Sequence, residues 1–147
     1  MIETFDANEV YPTGSGYLGN PNIKRNGVQE SWTPEKIIEY KKCSEDPIYF
    51  IEKYIKVISL DEGLVPFSLY DYQKRMINHF NNNRMACVLS CRQSGKTIST
   101  VSYVLWYALF HSDQTIFLLA NKGETARDVL FARLTLALEN LPFFFQN

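Results

Sequence analysis

Between a run of five apolar residues, Met85-Ala-Cys-Val-Leu89, and an amphipathic helix lies the octet Ser90-Cys-Arg-Gln-Ser-Gly-Lys-Thr97, and few folds accommodate that order. An apolar run of this length without alternation suits a strand covered on both faces, the usual state of a parallel strand. Behind the octet, Val101, Val104, Leu105 and Ala108 recur at helical spacing, which predicts a helix from residue 96 to about residue 110. Gln114-Thr-Ile-Phe-Leu-Leu-Ala120 is a second run of the buried-strand type. A second helix is predicted over 124–139, with Leu130, Leu134, Ala137 and Leu141 in register and Pro142 as its stop. Strand, helix, strand, helix predicts a βαβ unit and a parallel sheet, and therefore an α/β fold class.

The octet has the residue types of a phosphate-binding P-loop with Ser90 in place of the first glycine. Successive backbone N–H groups and the start of the following helix make a positive cradle for phosphate oxygens. Gly95 lets the backbone approach an anion closely, Lys96 reaches the β- and γ-phosphates of ATP, and the Thr97 hydroxyl is a ligand for Mg²⁺. Arg92 and Gln93 hold the middle of the loop. They are either solvated loop residues or, for Arg92, a guanidinium placed to stabilise charge on a transferring phosphoryl group. Upstream, Tyr70-Asp-Tyr72-Gln73 allows two readings: a helix start with Tyr72 in the core, or an amide that bonds an adenine edge beside an aromatic that stacks on the ring. The candidate ATP site is thus Tyr72, Gln73, Ser90, Cys91, Arg92, Gln93, Ser94, Gly95, Lys96 and Thr97, with Arg92 and Lys96 as the catalytic pair.

The rest of the chain divides by composition. Residues 1–31 are rich in Gly, Asn, Pro and Ser and predict an extended arm. Residues 32–69 read as a helical segment: Thr33-Pro34-Glu35 and Asp46-Pro47 each place a capping side chain before proline at the first helical position. Lys56-Val-Ile-Ser-Leu is a short strand candidate, Asp61 to Pro66 reads as a loop, and a helix is expected over about 70–80. Residues 70–147 then form the front part of a P-loop ATPase domain. With 46 % hydrophobic and 21 % charged residues, the chain as a whole is not of the disordered class. Fifteen basic against 16 acidic side chains leave no polyanion-binding tail, so any contact with nucleic acid depends on a local patch. Cys43, Cys87 and Cys91 lack a second ligand pair for zinc and read as free thiols of a reducing compartment. No signal peptide and no apolar run of about 20 residues is present, and no membrane partner is expected. His79 and His111 read as ordinary helix-end residues.

Several segments together resemble the large terminase subunits of contractile-tailed bacteriophages. They are Gly19-Asn-Pro-Asn-Ile-Lys, Trp32-Thr-Pro-Glu, Lys42-Cys-Ser-Glu-Asp-Pro-Ile-Tyr-Phe-Ile, Asp61-Glu-Gly-Leu-Val-Pro-Phe, Tyr70-Asp-Tyr-Gln, the octet itself, and Leu119-Ala-Asn-Lys-Gly-Glu-Thr-Ala. A loop of the Ser-Arg-Gln type without the first glycine is a habit of that family. The resemblance implies a viral DNA-packaging ATPase with a nuclease in a later domain. It implies Gln73 as adenine reader, Arg92 as a finger acting in cis, Lys96 on the phosphates and Thr97 on Mg²⁺. It also implies double-stranded DNA, the portal of the prohead and a small terminase subunit as partners, in the host cytoplasm and transiently at the portal.

One departure stands beside the match. The family continues into a Walker B strand ending in Asp-Glu and then into the nuclease, whereas the acidic residues after the second apolar run are Glu124, Asp128 and Glu139, all at helix positions. The expectation is the front end of such a motor, with an incomplete sheet, open apolar faces, an exposed Phe143-Phe-Phe145 and a partner in the remainder of the terminase. A helicase-like DNA translocase is the nearest alternative, although helicases of that class usually carry glycine where Gln93 stands. A P-loop interaction module that does not hydrolyse nucleotide is the other.

Overall fold

The computed structural model describes residues 16–17, 20–59 and 61–146, apart from the side chains of residues 125–127. Local chemistry sets the first two helices. The Thr33 hydroxyl accepts the Lys36 N–H (3.3 Å) and Pro34 opens α1 (Pro34–Glu45). Asp46 then serves two helices at once: its N–H donates to Lys42 O to close α1, and its carboxylate accepts the N–H groups of Ile48 (2.9 Å) and Tyr49 (3.1 Å) to open α2 (Pro47–Tyr54). The next two helices are α3 (Asp71–Asn82) and α4 (Lys96–Phe110), the latter with the bounds that its apolar spacing predicts.

The strands are short and antiparallel. In the arm, β1 (Gly16–Tyr17) pairs with β2 (Asn20–Lys24); residues 1–15 of the expected arm lie outside the described residues. The hairpin is packed rather than free. Asn20 Nδ2 donates to Glu139 Oε1 (2.6 Å), and Gln146 both accepts the Lys24 N–H (2.8 Å) and donates to Asn22 O (3.0 Å). β3 (Lys56–Ser59) pairs with β4 (Gly63–Pro66), so the loop expected over 61–66 is a turn followed by a strand. Gly63, with φ +75°, makes the reversal possible.

The fold is therefore mixed helix and strand, but the parallel sheet is not among the described strands, which form two two-stranded antiparallel sheets. The runs over 85–89 and 114–120 form no strand, and most of their side chains face outward instead of being buried. Met85 is 84 %, Leu89 101 %, Phe117 82 % and Leu119 92 % exposed. A strand is defined by hydrogen bonds to a neighbour, and an apolar run carries no information about whether that neighbour is at hand. The second run still alternates. Ile116 and Leu118 line a cavity of about 550 Å³ against Val104, Ala108, Phe131 and Leu134, while Phe117 and Leu119 point away.

The helix expected over 124–139 is broken into three parts: a single turn α5 (Gly123–Thr125), a π-helical stretch (Ala126–Phe131) and α6 (Ala132–Glu139). The extra residue per turn of a π stretch rotates the helix beyond it, so the apolar spacing on either side need not share one face. The terminal aromatics also depart from expectation. Phe143–Phe145 form a 3₁₀ turn, and all three side chains are at most 3 % exposed. Phe145 sits 4.7 Å from the Tyr54 ring centroid and 5.4 Å from that of Phe50, and Phe144 packs edge-on to Trp32. Pro142 ends the helix and returns the chain onto α1 and α2, where an aromatic cluster stabilises the three buried rings.

One core joins the helical segment to α4 and the last residues: Phe50, Ile51, Ile77, Leu105, Trp106 and Phe145 all belong to it. Within it, the Trp106 indole N–H donates to Cys43 O (2.7 Å), tying α4 to the last turn of α1. Ser99 and Ser102, wholly buried in α4, satisfy their hydroxyls on the carbonyls of Gly95 and Ile98 one turn back. No helix among the described residues is long and apolar enough to cross a membrane.

A polar knot anchors α1 to α2. Glu39 accepts hydrogen bonds from Lys53 Nζ (2.8 Å), Tyr54 OH (2.9 Å) and Tyr49 OH (3.1 Å). Burial pushes the Glu39 carboxyl up, but the bonds from Lys53 and Tyr54 and the Lys53 charge outweigh it and hold the group below its ordinary value. A carboxyl depressed in the folded state stabilises the fold above its unfolded value, and that contribution is lost as pH falls through the lower folded value. Glu39→Gln is accordingly expected to cost about 1–3 kcal/mol near neutral pH and to flatten the loss of stability below about pH 4.3. Urea unfolding of both proteins at pH 7 and at stepped acid pH measures this; parallel pH profiles would contradict it.

Candidate functional site

The octet lies at the N-terminus of α4 and takes its shape from two left-handed residues. Gly95, with φ +71°, stands immediately before the helix, and Gln93, with φ +60°, two residues earlier. Glycine adopts this region freely, whereas glutamine does so under steric strain. The first intrahelical bond runs from Ser99 N–H to Gly95 O (3.1 Å), so the N–H groups of Lys96, Thr97 and Ile98 precede the helical ladder. Three such donors at the positive end of a 15-residue helix suit an anion.

The loop is cross-braced by its own side chains. Lys96 Nζ donates to Cys91 O (2.9 Å), Ser94 Oγ to Cys91 O (3.1 Å), and Ser94 Oγ makes a longer contact to Ser90 Oγ (3.4 Å). Lys96 thus bends back over the loop, with its ammonium bonded to a carbonyl at the loop's start. Arg92 and Gln93 are exposed, and Arg92 makes no hydrogen bond or ion pair among the described residues. Thr97 is half-buried, and its hydroxyl is without a hydrogen bond among those residues.

Helix α3 meets the loop through its first turn. Gln73 is 2 % exposed: its Oε1 accepts the Tyr70 N–H (2.9 Å), and its Nε2 faces Ser94 O at 3.4 Å. Both ends of the amide are therefore engaged within the protein. Tyr72 is not a core residue. It is 42 % exposed, its ring stacks parallel to Tyr70 (5.8 Å between centroids), and its hydroxyl donates to Ser94 O at 2.6 Å. Of the ten residues singled out from the sequence, the structure places Tyr72 and Gln73 of α3 against the loop at Ser94, and the other eight follow one another in the chain. The phenol-to-carbonyl bond had no sequence signal, because a tyrosine in a first helical turn is unremarkable in composition and spacing. His79 and His111 lie apart, at helix ends. Asn83 Nδ2 donates to His79 O (2.9 Å), and the His111 ring stacks on Tyr107 (4.1 Å).

The donor set suits a polyphosphate: one ammonium, one exposed guanidinium and a helix start. For Mg²⁺ the loop offers neutral oxygens alone, of which that of Thr97 is without a hydrogen bond among the described residues, and such an ion is ordinarily held by phosphates and water besides. Among the described residues no group of three or more His, Cys, Asp or Glu side chains converges on a metal position. No protein-family model matches the chain.

The left-handed backbone at Gly95 makes a direct prediction. A Cβ there would stand 2.5 Å from Gln73 Nε2. Gly95→Ala is expected to cost about 1–2 kcal/mol from the backbone alone and more from the clash. Thermal melts of Gly95→Ala, Gln73→Ala and the double variant separate the two, since only the clash disappears in the double variant. Gln93→Gly removes strain of the same kind and is expected to leave stability equal or higher.

Proposed function

We propose that the chain binds ATP with Mg²⁺ at the loop 90–97, as the ATP-binding portion of a viral DNA-packaging motor of the large-terminase type. The observation that carries the reading is the joint placement of Lys96 and the N–H groups of Lys96, Thr97 and Ile98 behind the left-handed Gly95. Phosphates on the helix start would draw the Lys96 ammonium away from Cys91 O, exchanging a carbonyl for charged oxygens. In this reading Thr97 ligates the metal, Arg92 stabilises charge on the transferring phosphoryl group, and Gln73 and Tyr72 lie on the nucleotide's side of α3. ATP and Mg²⁺ supply the phosphoryl chemistry when bound; the chain's own residues hold and orient the phosphates. The runs over 85–89 and 114–120 are then neighbouring strands of a parallel P-loop sheet. Their exposed faces meet the remainder of the terminase. Double-stranded DNA, the portal and prohead and the small subunit complete the proposed partners, in the host cytoplasm.

Titration of the chain with MgATP tests the reading. Lys96→Ala is expected to weaken binding by about 10- to 100-fold, the weight of a hydrogen bond to a charged group. Equal affinity in the folded variant would overturn the phosphate assignment. Arg92, exposed and unpaired among the described residues, is expected to matter little for binding. In a form of the motor that turns over ATP, Arg92→Ala should instead lower kcat by roughly 10³-fold or more, measured by phosphate release. A loss in affinity as large as the loss in turnover would make Arg92 a ground-state ligand.

A further inference from the structure

The Tyr72 hydroxyl meets Ser94 O at 2.6 Å, a short bond for a phenol and a carbonyl, and it comes from a different helix than the one the loop feeds. Gln73 Nε2 approaches the same oxygen from the next residue of α3, at 3.4 Å. The peptide unit between Ser94 and Gly95 is trans and planar, so its C=O and N–H point in opposite directions. Holding the carbonyl toward α3 therefore turns the Gly95 N–H away from α3. Among the described residues nothing else fixes this peptide. Gly95 has no Cβ to restrict the rotation of this peptide, and Ser94 Oγ is occupied with Cys91 O. Tyr72 itself is braced: its ring lies parallel to Tyr70, with 8° between the planes, on a helix whose first turn is closed by Gln73 Oε1 on the Tyr70 N–H.

From this geometry we infer that Tyr72 is a positioning residue for the phosphate loop, its phenol setting the Ser94–Gly95 peptide so that the Gly95 N–H joins those of Lys96, Thr97 and Ile98. The inference rests on the nucleotide reading above and deepens it, by giving the aromatic at this position a task directed at the phosphates and not at the base. The same bond makes α3 the element that registers the state of the loop. Any ligand that reorients the Ser94 peptide must break or remake a contact with the first turn of that helix.

A ligand without a base separates the two tasks. Tyr72→Phe keeps the ring and its stack on Tyr70 and deletes only the hydroxyl; Tyr70→Phe deletes a hydroxyl that does not reach the loop. Calorimetric titrations of the chain with tripolyphosphate and with MgATP are the first measurement. Tyr72→Phe is expected to weaken both by the same factor, about fivefold to tenfold for one hydrogen bond, and Tyr70→Phe neither. Amide hydrogen exchange with tripolyphosphate at saturation is the second: the protection that the ligand gives the Gly95 amide should shrink in Tyr72→Phe alone. Loss of MgATP affinity with tripolyphosphate binding intact would overturn the inference, since the phenol would then serve the nucleoside. Unchanged binding of both ligands would overturn it as well, and so would Gly95 protection indifferent to the variant. A wild-type chain that binds neither ligand would instead overturn the nucleotide reading itself, and the positioning role with it.

Discussion

The indole N–H of Trp106 and the carbonyl of Cys43 meet inside the core at 2.7 Å, and the position of everything along α4 depends on that bond. An indole donor buried without a partner is costly, and the last carbonyls of a helix such as α1 lack intrahelical donors, so each group satisfies the other. Together with the side chains packed around it, the bond sets α4 along and about its own axis. Lys96 lies ten residues from Trp106, or about 15 Å at the helical rise, so the loop end of the helix is placed by an anchor deep in the aromatic core. The loop itself needs no rigid contact beyond that helix and the first turn of α3.

Helix α4 is built for two environments. Its first half carries Thr97, Ser99, Thr100 and Ser102, whose small side chains let neighbouring backbone come close and, for the last three, return their hydroxyls to carbonyls one turn back. Its second half carries Tyr103, Trp106, Tyr107 and Phe110, which interleave with rings from α1, α2, α3 and the terminal turn. The polar knot on Glu39 does for α1 and α2 what the indole does for α4: a half-buried charge supplied with several donors holds two elements in one orientation. Such a knot contributes orientation more than net stability, because desolvating the charges offsets much of their attraction.

What was legible in the sequence was the chemistry that acts over a few residues. Thr33-Pro34 and Asp46-Pro47 begin helices because the cap and the proline need nothing from elsewhere in the fold. The bounds of α4 follow from Gly95 and from its apolar spacing for the same reason. The eight loop residues were legible as a group because the loop and the start of α4 are contiguous in the chain. What depended on distant partners was not legible. The burial of Phe143–Phe145 needs the pocket between α1 and α2, and the strand β4 needs β3. The phenol of Tyr72 needs Ser94, 22 residues away. The runs over 85–89 and 114–120 show the converse: an apolar pattern states a preference for burial, and pairing requires a neighbour that the pattern cannot supply.

Gln146 bears on how this chain reaches its fold, and not only on what the fold contains. Its one side chain accepts the Lys24 N–H and donates to Asn22, Leu138 and Leu141, clasping the arm hairpin to the end of α6 across a sequence separation of up to 124 residues. Closing a loop of that length carries an entropic cost that grows as the logarithm of its size, and nothing local offsets it in advance. The clasp is therefore costly to close early, before α4 and the terminal aromatics bring its two ends together. Contacts of this span slow a search that the helical segment alone would complete quickly. By the same token the hairpin can let go of Gln146 and Glu139 while the aromatic core stays intact.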